Sequence, residues 1–195
     1  VIIYWSGHGS RCADDGGDEK DGLDEYLVPH DGRLDDIDAI RNSMIMDDSF
    51  GRWLQELDGR RILVILDTCH SGGQGGEKGI TRGVHSLAAK EEVEFDFLDS
   101  EFARMKDIGQ RETALLASST ASQVSFERKE GDLSAMTYFL VRQYGQQGPL
   151  ELNDVHAAIR EGVTKYVEEK FPGTTQTPVL VNQLSGPFYL RPGRN

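Results

Sequence analysis

The sequence predicts an α/β fold with a mostly parallel central sheet flanked by helices, and three observations carry that expectation. Residues 61–66, RILVIL, form a continuous apolar run of the kind found in a parallel strand covered on both faces. A second β-branched and aromatic run, Val1 to Trp5, precedes it, and between the two Phe50, Trp53, Leu54 and Leu57 recur at helical spacing. Strand, helix, strand in that order implies a right-handed crossover between parallel strands.

Taken in order, Val1 to Trp5 reads as a buried strand ended by Ser6-Gly7, with His8 just past its end. Gly and Asp dominate from Ser10 to Asp38 except at Tyr26 to Pro29, so a long acidic loop with one short strand is expected. Asp47 or Asp48 is placed to cap a helix that buries one face and ends at Gly59. Asp67-Thr68-Cys69-His70-Ser71-Gly72-Gly73 follows the RILVIL strand. In open sheets of this type ligands bind beyond the carboxyl ends of the strands, where His8 and Cys69 would both project. Gly75 to Arg111 is rich in charge and Gly and reads as a linker, with helical turns near Phe95 to Met105. Thr113 to Ala117 starts another strand, Ser134 to Tyr144 and Leu152 to Phe171 read as amphipathic helices, and Pro178 to Val181 and Phe188 to Leu190 as final strands.

A chain of 195 residues suits one domain and one active site. Acidic residues outnumber Lys and Arg 33 to 21, for a net charge of -12, which disfavours nucleic acid and anionic membrane surfaces and favours basic peptides or metal ions. No apolar stretch is long enough to span a bilayer. Two cysteines make no disulfide scaffold, so a reducing, cytoplasmic setting is expected.

Chemistry concentrates at two places. A thiolate attacks a carbonyl far better than a thiol, so a nucleophilic cysteine needs a base beside its sulfur, and His8 can serve Cys69 in that role. Backbone amides must face the developing oxyanion, and the amides of Gly9 and Cys69 are the candidates, with glycines on both sides of His8 allowing close approach of a substrate.

SGHG at Ser6 to Gly9 and DTCHSGG at Asp67 to Gly73 resemble the two catalytic motifs of metacaspases. Their separation of roughly sixty residues is near the caspase His-to-Cys spacing of about fifty. Asp67 and His70 flank Cys69 where caspases proper carry a QACRG-type pattern, so the resemblance is to metacaspases and their bacterial relatives. GDEKDGLDEYLVP, ALLASSTASQVSFE, GDLSAMTYFLV and TQTPVL look like further segments of that family.

The resemblance implies a three-layer caspase-like fold and a cysteine endopeptidase with a Cys69–His8 dyad. Residues 1–74 would be the catalytic part, 75–111 a processing region and 112–195 a small-subunit-like part. Family domains carry strands before the histidine strand, so a partner segment of the same protein is expected upstream of Val1, together with an acidic pocket residue that such a segment contributes. Asp67 and Ser6 would line the first specificity pocket, where a carboxylate favours protein or peptide substrates with Arg or Lys before the scissile bond. Self-cleavage would follow Lys78, Arg82, Lys90, Arg104, Lys106 or Arg111. No EF-hand pattern is present; by resemblance, an activating calcium ion would be held by Asp24, Asp47 and Asp48, with Glu77 a further candidate. No organic cofactor is expected.

Ser118 and Ser119 are candidates for the edge of a substrate groove, where an extended peptide would add as a strand, though strand-end turn chemistry explains them equally well. His70 reads as structural, Cys12 as a spectator thiol, and His30, His85 and His156 lack companions at metal-ligand spacing. The rival reading is a catalytically silent, calcium-responsive interaction module on the same fold.

Overall fold

A computed structural model describes residues 1–14, 16–17, 22–57, 59–70, 112–120 and 123–192, with the backbone alone at 69 and 70. The expected linker, its basic cleavage candidates, Glu77 and His85 lie outside the described residues. In chain order the elements are β1 (Ile2–Ala13), β2 (Leu23–Val28), α1 (Ile37–Ser43), β3 (Ile45–Met46), α2 (Asp47–Glu56), β4 (Ile62–His70) and β5 (Thr113–Ala117). There follow α3 (Ala135–Tyr144), β6 (Leu150–Glu151), α4 (Leu152–Lys170), β7 (Val179–Asn182) and β8 (Tyr189–Arg191). One sheet has the strand order β3-β2-β1-β4-β5-β7, and β6 pairs with β8 in a second. The main sheet is mixed: β4 and β5 run parallel, whereas β2 and β3 pair antiparallel at one margin and β5 and β7 at the other.

The chain divides into two compact units, one of Val1–Ser6, Gly59–Thr68 and Gln110–Asn195, the other of Gly7–Asp58 and Cys69–Gly109. In the first, the five apolar residues Ile62 to Leu66 are all buried, which is why that run is continuous rather than alternating. The Val1 amine donates to the Arg61 carbonyl at 2.7 Å and the Val1 carbonyl accepts from the Leu63 amide at 2.9 Å, the bonding pattern of a parallel pair with Val1 opposite Ile62. Leu152, Val155, Ile159, Val163 and Val167 recur every three or four residues along α4 and bury one stripe of it with Met136 and Leu140 of α3 in the core. Ser134 caps α3, its Oγ accepting the Thr137 amide at 3.0 Å, and Glu151 caps α4 by accepting the Asn153 amide at 2.8 Å. The helices meet closely at Gly162, where an added Cβ would lie 2.4 Å from Phe139 Cδ1.

In the second unit, the later half of β1 pairs antiparallel with β2, from His8 opposite Val28 to Ala13 opposite Leu23. Cys12, Tyr26, Ile40 and Met44 form a small core there.

Several sequence expectations are corrected. The first strand does not end at Ser6-Gly7, and His8 lies inside it, because pairing with β2 holds a Gly-rich segment that has little strand propensity of its own. Its first residues are not fully buried: Ile2 and Tyr4 are each 45% exposed. The segment from Ser10 to Asp38 contains the end of β1, all of β2 and the start of α1, which Asp36 caps by accepting the Ala39 amide at 2.8 Å. Trp53 faces out at 49% exposure, so α2 buries Phe50 and Leu54 without it. Finally, β4 runs through Asp67 and Cys69 to His70 rather than stopping at Leu66.

Candidate active site

Exposure alternates along the start of β1, with Ile2, Tyr4, Ser6 and His8 the more exposed members, so these four share one face of the strand. In the first unit, a cavity of about 270 Å³ is lined by Tyr4, Ser6, Glu127, Asp132, Ser134 and Thr137 among others. Asp67 lies beneath, 4% exposed. Its Oδ2 accepts the Thr137 hydroxyl at 2.5 Å, the Thr137 amide at 3.2 Å and the Ser134 hydroxyl. Tyr4 donates its own hydroxyl to Thr137 Oγ1 at 2.6 Å, completing a relay from the cavity wall to the carboxylate. Burial pushes the Asp67 carboxyl above its usual range, while the hydrogen bonds from Ser134 and Thr137 pull the other way. Asp67 therefore caps the N-terminus of α3, where a negative charge also complements the helix dipole. The amide it caps lies seventy residues away in sequence.

Ser118 and Ser119 are buried. The Ser118 hydroxyl donates to the Thr68 carbonyl at 3.2 Å and bonds Ser125, and Ser119 donates to the Gln123 carbonyl at 3.2 Å. Sequence reasoning missed what holds them: Gln176, fully buried, donates to the Ser118 carbonyl at 2.8 Å and accepts the Phe126 amide at 2.9 Å. The one signal was a polar Gln within TQTPVL, just before a strand. Reasoning from motifs also passed over Glu127, Ser134 and Thr137, which lie far along the chain from Ser6 and Asp67.

In the second unit His8 is exposed on β1, and Gly9, opposite Leu27 of β2, is buried. Cys12 is buried, and burial first, then the Asp24 carboxylate, pushes its thiol up to about 11, with Asp47 and Glu25 adding and Arg41 opposing. Asp24 and Asp47 thus share one neighbourhood, and Asp47 itself is 2% exposed in the first turn of α2. Among the described residues no three His, Cys, Asp or Glu side chains are grouped to hold a metal ion. His156 bonds the Pro178 carbonyl at 3.1 Å, a structural role.

The profile of the caspase domain matches residues 1–189. The chain belongs to the caspase-domain family. Within this caspase domain a stretch of 74 residues, 37% of the chain, is 40% identical to Metacaspase-1 of Pyricularia oryzae, of which it covers 17%. A similar stretch is 38% identical to Metacaspase-2 of Arabidopsis thaliana, and one of 75 residues is 40% identical to Metacaspase III c of Phaeodactylum tricornutum, covering 16% and 20% of those proteins. The matched stretch thus spans a fifth or less of these metacaspases. A solved protein of Geobacter sulfurreducens shares the fold, with a TM-score of 0.53 at 20% identity over 92% of this caspase domain and 64% of that chain. The metacaspase matches agree with the branch that SGHG and DTCHSGG indicated.

Proposed function

We propose that this caspase domain is a cysteine endopeptidase that cleaves after Arg or Lys, responds to calcium and processes itself in the segment 75–111. The observation that carries the reading is strand register. Val1 sits opposite Ile62 in a parallel pair, β1 and β4 are neighbours in the sheet, and an unbroken register would set Ser6 opposite Asp67 and His8 opposite Cys69. Paired residues of parallel strands face the same way, so the imidazole and the sulfur would share a face. The meeting of Tyr4 and Asp67 at Thr137 supports that parity.

The chemistry is acyl transfer. His8 takes the thiol proton and the Cys69 sulfur attacks the scissile carbonyl. Amides of Gly9 and Cys69 hold the oxyanion, and His8 returns the proton to the leaving amine. Water, deprotonated by His8, then releases the acyl group and restores the thiol. No step uses a metal ion; calcium would act on the acidic neighbourhood of Asp24, Asp47 and Asp48. The net charge of -12 favours a basic substrate.

The test is turnover of Arg, Lys, Asp and Asn reporter peptides with calcium and with chelator, by the wild type, Cys69→Ala and His8→Ala. Turnover of the basic peptides, lost in both variants, is expected. Basic-peptide turnover that persists in Cys69→Ala would reject the mechanism, and an intact 75–111 segment in active enzyme, seen by mass spectrometry, would reject self-processing.

A further inference from the structure

A buried hydrogen bond in the first unit bears on the peptide unit that joins Thr68 to Cys69. We propose that Ser118 is a positioning residue for the oxyanion site. Through the Thr68 carbonyl it fixes and polarises the peptide unit whose N–H belongs to Cys69, an inference that rests on the peptidase reading above.

The Ser118 hydroxyl reaches the Thr68 carbonyl at 3.2 Å, and both residues are buried. A peptide unit is planar and trans, so its N–H points opposite to its C=O. Holding the Thr68 carbonyl toward the exit of β5 therefore turns the Cys69 N–H to the other edge of β4, the edge on which β1 is the neighbour in the sheet. Bonds earlier in β4 follow the same alternation. The Leu66 carbonyl, two residues before Thr68, accepts the Ser118 amide at 2.9 Å, and the Leu63 amide, in step with Cys69, donates to the Val1 carbonyl at 2.9 Å.

Donor and acceptor roles assign a direction to this network. The Phe126 amide can only donate, so the Gln176 atom that meets it at 2.9 Å is the side-chain oxygen. Gln176 Nε2 then donates to the Ser118 carbonyl at 2.8 Å and to Ser125 Oγ at 3.4 Å. The Thr68 carbonyl can only accept, which assigns the Ser118 proton to it and leaves Ser118 Oγ to accept from the Ser125 hydroxyl. Donation runs one way, from Gln176 through Ser125 and Ser118 to Thr68, and each bond polarises the next. A peptide unit polarised at its carbonyl has an N–H that donates more strongly, and a donor aimed before the reaction begins needs no reorganisation when the oxyanion forms.

The experiment compares wild type, Ser118→Ala and Ser125→Ala in three measurements: kcat and KM on the Arg and Lys reporter peptides, inhibition by a peptide aldehyde ending in Arg, and alkylation of Cys69 by iodoacetamide. Addition of the sulfur to the aldehyde carbon makes an oxyanion, whereas alkylation makes none. Ser118→Ala should lower kcat about tenfold and weaken the aldehyde in proportion, with KM and the alkylation rate within about twofold of wild type. Ser125→Ala keeps the bond to Thr68 and should show a smaller loss in the same two quantities, which carries the test if Ser118→Ala does not fold. Unchanged kcat and aldehyde inhibition, or an equal loss in alkylation, overturns the assignment while leaving the peptidase reading intact. Wild-type protein that turns over neither peptide removes the peptidase reading and this assignment with it.

Discussion

Asp67 of β4 accepts the backbone amide of Thr137 at 3.2 Å, so a strand end and a helix start seventy residues apart in sequence share one charge. The carboxylate caps α3 and bonds two residues, Ser134 and Thr137, that line the cavity containing Ser6.

That double duty has a pH signature. Burial raises the Asp67 pKa, so the folded protein holds this proton more tightly than the unfolded chain does. The stabilisation is complete below the ordinary carboxylate value and is lost as pH rises through the raised folded value. Asp67→Asn keeps an oxygen for Ser134 and Thr137 but has no proton to lose. Urea midpoints measured across that window should show wild type losing stability relative to Asp67→Asn as pH rises. The opposite slope would mean that the hydrogen bonds outweigh burial.

Gln176 ties β5's exit to the turn that carries Glu127. Its replacement by Ala strands the Ser118 carbonyl and the Phe126 amide, at an expected cost of about 2–5 kcal/mol in urea unfolding. Gln176→Glu should not restore the loss, because a carboxylate cannot donate to the Ser118 carbonyl. A change below about 0.5 kcal/mol would show that water replaces the side chain.

The two cysteines should separate in reactivity. With its thiol raised to about 11, Cys12 carries roughly a hundredfold less thiolate than an unperturbed thiol at neutral pH, and it is buried. Iodoacetamide at neutral pH, followed by peptide mass mapping, should modify Cys69 well before Cys12 in folded protein. Equal rates would argue against an activated sulfur at Cys69.

The elements that local pattern decides were legible before any coordinates: RILVIL, TALLA, the two later helices and the two last strands fall within a few residues of their observed bounds. What escaped depends on partners. The strand through SGHGSRCA exists because β2 lies beside it, and a segment of Gly, Ser and polar residues carries no period that announces such a neighbour. Trp53 has the right spacing for a buried face yet points outward, since spacing defines a stripe and not its width. Motif reasoning singled out Ser6, His8, Asp67 and Cys69 as candidates because they cluster in two short words. Glu127, Ser134 and Gln176 come from ordinary-looking sequence, and only tertiary contact relates the first two to Ser6 and Asp67.

Gly162 gives the cavity an unexpected dependence on a distant residue. With no side chain there, α4 lies against the ring of Phe139, and α3 sits low enough for its first turn to reach Asp67. Any larger residue at 162 would wedge the ring, and the helix attached to it, away from the sheet. The wall of the cavity would then move through a change that touches none of it, which makes this glycine a place where the shape of the cavity and the packing of two helices cannot be altered separately.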